Sequence, residues 1–505
     1  MKRLIYFGPP GTGKTTTLLM HLEDALIEGT PVENIAFLTF TRRARAEAVE
    51  RVEKVLDISA KNLPHFRTIH SMAFKALGLK EGDVLAGAQL RAFGNGMGLN
   101  FGSVGLSEQA AEGLASQEKG DVLLAIDNLA RLRGQPLRAT WGASGCKLDW
   151  HVMQHFSSSY SAYKEQTGLM DFTDVLLEYV RRGSPLDVEI AFVDEAQDLS
   201  VLQWSCVHKA IRHARTQYVA GDDDQAIYRW AGADVESFVN LDGKRIVLSH
   251  SHRLPAAVHH LSQQIAHRIK TRVPKEFTAR EDTGEVKWHA SVDSLDVKKG
   301  QSWLWLVRNR YLLPPLQQRL ELNGIVYSQH GNSSIRPSER EAIYDWERLR
   351  AGRAVTVERV RDIYDLLKTR TQIAHGHKAL PKVAPGTRLT EHDLRDKHGL
   401  LASGTWFEVF ASIPDSRRSY YRKLLRDNKT LHLDPQVQLE TIHGAKGAEA
   451  DYVALFTEQS RRVWDESQKV PDDEHRVWYV GATRARNSLN IVVPAGHWGY
   501  SIPRS

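Results

Sequence analysis

Leu4-Ile5-Tyr6-Phe7-Gly8-Pro9-Pro10-Gly11-Thr12-Gly13-Lys14-Thr15 decides the fold. Four consecutive apolar or aromatic residues closed by glycine and proline read as a short strand buried in a parallel sheet. From Thr15 onward Leu18, Leu19 and Leu22 recur at helical spacing. Strand, glycine loop and helix therefore follow in the order that G-x-x-x-x-G-K-[ST] requires. Gly8, Pro9, Pro10, Gly11, Thr12 and Gly13 make a loop whose backbone N–H groups converge on phosphates. Lys14 reaches the outer phosphates, and the Thr15 hydroxyl, followed by Thr16 at the start of the helix, is suited to ligate Mg²⁺. The competing reading is a chance glycine turn.

A phosphate cradle alone hydrolyses nothing. Ile35-Ala36-Phe37-Leu38-Thr39-Phe40, Glu189-Ile190-Ala191-Phe192-Val193 and Gln217-Tyr218-Val219-Ala220 are further short apolar runs, each followed by polar residues and a helix-like pattern. That alternation predicts an α/β fold with a parallel sheet flanked by helices. Asp194-Glu195 directly follows one of these strands, which places both carboxylates at the carboxyl edge of the sheet beside the loop. Asp194 is suited to hold Mg²⁺ and Glu195 to orient and deprotonate water, against the alternative of an acidic helix start.

A second α/β set is read in Trp303-Leu304-Trp305-Leu306-Val307, Val453-Ala454-Leu455-Phe456 and Leu489-Asn490-Ile491-Val492-Val493. The expected organisation is a first core at 1–78 plus 168–252 and a second at 253–333 plus 435–505. Mainly helical insertions occupy 79–167 and 334–434. A chain of 505 residues, 42% hydrophobic and 25% charged, suits such a multidomain protein. The net charge of +6 suits a polyanionic partner only weakly, because 67 Lys and Arg face 61 Asp and Glu. Cys146 and Cys206 supply neither a four-cysteine metal site nor a disulfide framework, which predicts a reducing, cytoplasmic setting. The apolar run at 4–7 is far too short for a signal peptide or membrane span.

Gly221-Asp222-Asp223-Asp224-Gln225-Ala226-Ile227-Tyr228-Arg229-Trp230 narrows the class, and six further segments agree with it in order. They are Thr39-Phe40-Thr41-Arg42-Arg43-Ala44, Thr68-Ile69-His70-Ser71, Asp171-Phe172-Thr173-Asp174-Val175-Leu176, the weaker block at 248–253, the long motif at 437–449, and Tyr479-Val480-Gly481-Ala482-Thr483-Arg484-Ala485. Together they resemble the UvrD/Rep-like branch of superfamily 1 helicases, with motif order matched over nearly the whole chain outside the insertions. The resemblance implies two RecA-like cores, ATP and Mg²⁺ as cofactors, and a 3′→5′ translocase and helicase acting on single-stranded DNA and DNA junctions. RNA stays open as the track. A monomer is expected, and a loading protein is left unnamed.

The resemblance also assigns roles. Gln225 would sense the γ-phosphate, while Arg253 and Arg484 would reach the phosphates from the far side of the cleft between the cores; Glu449 would bind the ribose. Phe40, Thr41, His70, Trp230, Thr441 and His443 would contact the strand, aromatic faces stacking on any base. Trp230 and Phe40 also read as core aromatics. Arg42, Arg43 and Arg45 read equally as phosphate contacts or as a solvated helix face. His252 stands where the family carries a tyrosine that stacks on adenine, and Thr16 where it often has arginine. The family's adenine-reading glutamine, which precedes the loop, finds no counterpart before Gly8. Looser nucleotide preference is therefore expected. The chain stops soon after Arg484, so no fused nuclease domain is expected.

Overall fold

Successive residues of the first strand, β1 (Lys2–Phe7), go to opposite faces of a sheet. Ile5 and Phe7 enter one apolar layer and Leu4 and Tyr6 the other. β2 (Ile35–Thr39) divides in the same way, with Ala36 and Leu38 on the first side and Ile35 and Phe37 on the second. The first layer is closed by helices Ile69–Ala76, Phe172–Arg182 and Val201–Ala210, the second by Lys14–Ile27 and Arg42–Leu56. Both faces being covered explains why these strands read as unbroken apolar runs. Each fully buried side chain among them contributes about 1.5–3 kcal/mol.

The computed structural model describes residues 1–40, 42–56, 58–102, 118–298, 300–380 and 383–504; the side chains of 42–44, 47, 51, 55 and 56 are outside it. With β3 (Phe66–Thr68), β4 (Ile190–Asp194), β5 (Thr216–Gly221) and β6 (Lys244–Val247), the first sheet runs β3-β2-β4-β5-β1-β6, every pairing parallel. Register aligns Phe7 with Gly221 and Val247, and Thr39 with Asp194. The segments that leave β1, β2, β4, β5 and β6 therefore emerge along one edge.

The chain divides into two compact units. The first takes Met1–Glu285, Asp465–Thr483 and Pro503–Ser505, the second Val286–Trp464 and Arg484–Ile502. The helix Ala256–Ala266 and the helix Pro471–Ala482, which pack together, thus belong to the first unit, whereas the sequence reading starts the second core at 253. The reason is local: the His252 N–H binds the Gly11 carbonyl at 2.9 Å, and the Asp472 carboxylate accepts from the N–H groups of Lys270 and Thr271 at 3.0 and 2.8 Å. Within the first unit, helices Gly87–Met97, Lys119–Arg133 and Trp150–Thr167 enclose their own core of Leu90, Phe93, Leu124, Ile126, Met153 and Phe156.

The second unit contains β7 (Glu285–His289) from its second residue onward, β8 (Trp303–Val307), β9 (Tyr327–Gln329), β10 (Asn332–Ser333), β11 (Val355–Thr356), β12 (Arg388–Leu389), β13 (Val437–Thr441), β14 (Ala450–Phe456) and β15 (Ala485–Val492). Its main sheet runs β10-β9-β13-β8-β14-β15-β7, with β9, β13, β8, β14 and β15 mutually parallel. The small β11-β12 sheet belongs to a helical part whose core includes Ile343, Trp346, Ile363, Tyr364, Tyr421 and Leu424. Among the described residues no helix is long and apolar enough to cross a membrane.

Candidate active site

The loop between β1 and its helix is shaped by glycine at three positions. Gly11 and Gly13 adopt φ of 73° and 80°, a left-handed region that a side chain disfavours. At Gly8 the constraint is space: a Cβ would stand 2.0 Å from Lys14 Cγ, so the lysine can fold across the loop and donate to the Gly8 carbonyl at 2.7 Å only over glycine. Thr12 closes the turn by donating from its hydroxyl to the Pro9 carbonyl at 2.8 Å.

The Thr15 hydroxyl donates to Asp194 Oδ2 at 2.7 Å, and the other carboxylate oxygen accepts the Glu195 N–H at 2.9 Å. Asp194 is buried, and burial first, then the neighbouring Glu195, pushes its carboxyl up to about 6 against the opposing pull of Thr15 and Lys14. A hydroxyl and a carboxylate side by side are hard oxygen donors of the kind Mg²⁺ takes, with water and phosphate completing its shell. A divalent cation there would also offset the cost of an ionised buried Asp194. The residues present fit the ion, and the glycine loop with Lys14 fits a polyphosphate.

Glu195 follows β4 with φ of 53°, a left-handed conformation costing a non-glycine residue about 1–3 kcal/mol. Its Oε2 accepts from Gln197 Nε2 at 2.5 Å, and Gln197 Oε1 accepts the Asp222 N–H at 3.0 Å. The Asp222 carboxylate then accepts from Gln225 Nε2 at 2.7 Å. Glu195 and Gln225, separate in sequence, are thus joined through Gln197 and Asp222. A Cβ on Gly221 would stand 2.7 Å from Gln197 Oε1, so β5 ends in glycine where that amide lies against it. Sequence reading missed Gln197 and Asp222 as parts of the site, although Gln197 lies two residues after Glu195 and Asp222 sits inside the segment Gly221 to Trp230 quoted above.

Arg253 is assigned by the resemblance to the far wall of the cleft, and the structure corrects that placement. The segment at 251–253 lies in the first unit against the phosphate loop, the Ser251 hydroxyl donating to the Pro10 carbonyl at 2.7 Å. A Cβ on Gly11 would come 2.3 Å from Arg253 Cβ. Arg484 lies in the second unit, buried, its backbone carbonyl accepting from Ala450 N–H at 3.1 Å. The Glu449 carboxylate is engaged by Arg486.

Among the expected strand contacts, Phe40 and Trp230 are half-buried, neither core nor free surface. Tyr228, which the sequence reading did not single out, neighbours both, its ring 5.8 Å from Phe40 and 6.5 Å from Trp230. The alternation Tyr228-Arg229-Trp230 was the available signal. His70 follows the cap formed by Thr68, whose hydroxyl accepts the Ser71 N–H, and lies edge-on to Phe172. In the second unit Thr441 is buried and its hydroxyl accepts the Gly444 N–H at 3.1 Å; His443 is half-buried. Arg45 is half-buried and donates from Nε to the Phe66 carbonyl at 2.8 Å. Thr41 and the side chains of Arg42 and Arg43 lie outside the described residues.

A parallel sheet carrying a glycine-lysine loop beside a Thr–Asp pair at its carboxyl edge defines a P-loop nucleotide-binding protein. Residues 2–245 match the family model of the UvrD/REP helicase N-terminal domain and residues 421–495 that of the UvrD-like helicase C-terminal domain. The chain belongs to the UvrD/Rep-like superfamily 1 helicases, with two RecA-like α/β cores. It is 27% identical over 253 residues to the ATP-dependent DNA helicase Rep of Salmonella typhimurium, covering 46% of this chain and 35% of that protein. It is 24% identical over 311 residues to the ATP-dependent DNA helicase PcrA of Bacillus subtilis, covering 56% of this chain and 40% of the relative. PcrA of Staphylococcus aureus matches at 24% over 309 residues, again 56% and 40%. The chain thus spans less than half the length of the curated relatives it matches.

Proposed function

We propose that the chain is an ATP-dependent translocase on single-stranded DNA and a DNA helicase with 3′→5′ polarity. The observation that carries the reading is the convergence of Lys14, Thr15, Asp194, Glu195 and Gln225 on one sheet edge, tied by hydrogen bonds. Family membership and the names of the Rep and PcrA relatives support it.

In this reading Lys14 and the loop N–H groups hold the outer phosphates of ATP. Thr15 and Asp194 hold Mg²⁺, which when bound would neutralise phosphate charge. Glu195 takes a proton from the water whose oxygen bonds to the γ-phosphorus, while the bond from that phosphorus to the bridging oxygen breaks and ADP departs. Gln225 orients the same centre, Arg253 and Arg484 neutralise charge on the phosphoryl oxygens, and Glu449 meets the ribose. Phe40, Tyr228, Trp230 and His70 stack on or abut the bases, with Thr41, Thr441 and His443 also assigned to the strand. The protein works on single strands and junctions, as a monomer in the cytoplasm.

The test is ATP turnover with and without single-stranded DNA. Lys14→Ala and Glu195→Gln each lower kcat by about 100-fold or more, and Glu195→Gln keeps nucleotide binding within a few-fold of wild type. A wild type with no DNA-stimulated turnover would sink the reading. Partial duplexes with a 3′ or a 5′ tail decide polarity.

A further inference from the structure

Lys275 lies between the helices Ala256–Ala266 and Pro471–Ala482 in sequence, 50 residues after Gln225, and no motif reading pointed to it. Its side chain is fully buried. The ammonium is 3.1 Å from Asp222 Oδ1, 2.5 Å from Asp223 Oδ1 and 2.9 Å from Asp224 Oδ2. All three aspartates are shielded from solvent as completely as the lysine. Burial alone would favour the neutral amine, and the carboxylates instead hold Lys275 above the usual lysine range. Arg272 adds a two-pronged contact to Asp224 at 2.8 and 2.6 Å, and the Val273 N–H binds Asp223 Oδ2 at 2.7 Å. The segment at 272–275 is thereby fastened to the turn that follows β5.

That turn carries the site. Asp222 uses one carboxylate oxygen for Lys275 and the Asp224 N–H, and the other for the Gln225 amide. Its own N–H holds Gln197, which in turn holds Glu195. One residue therefore orients both the carboxylate assigned to the water and the amide assigned to the γ-phosphate. It keeps a fixed position only while its charge is met.

We infer that Lys275 is a positioning residue for ATP hydrolysis: by holding Asp222 it sets Glu195, through Gln197, and Gln225 in one geometry. This rests on the hydrolytic reading of the site. Lys275 touches neither the phosphate loop nor Glu195, so its loss should act on turnover and spare nucleotide binding.

Lys275→Met by itself leaves three buried carboxylates short of a cation. The informative variant is therefore Lys275→Met/Asp223→Asn, which removes one charge of each sign from the cluster. Full-length protein is assayed for DNA-stimulated ATP turnover, for binding of a fluorescent ATP analogue and for thermal midpoint. The expected result is a kcat about 10- to 100-fold lower, analogue affinity within about 3-fold of wild type, and a midpoint near that of wild type. Gln197→Met cuts the same path at another place and should lower kcat to a similar extent. Adding it to the cluster variant should cost little more, whereas independent effects would multiply. Wild-type kcat in a folded cluster variant, or in Gln197→Met, overturns the inference, as does a multiplicative combination. If the cluster variant fails to fold, the Gln197→Met result decides alone. An inactive wild type with intact nucleotide binding overturns the proposed function instead.

Discussion

Replacing Asp171 by alanine should be among the most destabilising single changes in the first unit. The carboxylate lies at the start of the helix Phe172–Arg182, where it accepts the Asp174 N–H at 2.8 Å as an N-cap. It also receives two bonds from Arg131, at 3.0 and 2.7 Å, and one from Lys164 at 3.0 Å. Arg131 and Lys164 come from the helices Lys119–Arg133 and Trp150–Thr167, so one buried carboxylate joins the helical insertion to the sheet's covering layer. Loss of an N-cap costs about 1 kcal/mol and removal of one partner from a buried ion pair about 3–5 kcal/mol. The two overlap here, because Asp174 and Asp127 remain to meet Arg131. The total should be about 3–5 kcal/mol, or on the order of 10 °C in Tm for a unit of this size.

Asp171→Asn, which retains a capping oxygen, should lose roughly half as much. Burial pushes the Asp171 carboxyl up, but Arg131 and Lys164 outweigh it and hold it well below the usual range. A carboxyl depressed in the folded state stabilises fully above its unfolded pKa of about 3.9, and the contribution is lost as pH falls toward the folded value. The gap between wild type and Asp171→Ala should therefore be constant from neutral pH to about pH 5 and shrink in stronger acid. Urea titration followed by tryptophan fluorescence reads it, since Trp141 and Trp150 pack together in the insertion. A loss below about 1 kcal/mol at neutral pH would refute the argument.

Gly11→Ala should impair nucleotide binding by at least about 10-fold, because φ is left-handed there and the new Cβ meets Arg253; an unchanged Kd for ATP would contradict this. Tyr228→Ala and Trp230→Ala should each weaken binding of an oligothymidylate by about 1–3 kcal/mol with little change in DNA-free turnover, as fluorescence anisotropy would show. Burial pushes the Cys206 thiol up to about 12, so in native protein at pH 8 iodoacetamide should modify the partly exposed Cys146 and spare Cys206 until denaturant is added. Equal labelling of both in mass spectrometry would show that the packing around Cys206 opens readily.

The phosphate loop was readable because it is contiguous. Eight residues from Gly8 to Thr15 carry their own turn geometry, and the flanking apolar run and leucine spacing declare strand and helix within a few residues of it. The same holds for β2, β4 and β5, which are buried on both faces and so need no alternation to be seen. Asp194 and Glu195 were placed correctly at a strand end for the same reason.

Elements whose identity depends on a distant partner stayed hidden. β3 has three residues and β6 is largely exposed, so neither carries an apolar signal strong enough to stand alone. The side of the site to which Arg253 belongs was decided by hydrogen bonds from 251–252 to the loop some 240 residues earlier in the chain. Likewise the meeting of Lys275 with Asp222, and of Asp222 with Gln197, is a product of strand order and of the helices laid across it. Sequence by itself determined the strand, loop and helix that present Lys14 and Thr15 and the strand end that carries Asp194 and Glu195, since these follow from contiguous residues and local backbone shape. Tertiary structure alone decided which of them share a hydrogen bond, because long-range packing sets the distances on which those bonds depend.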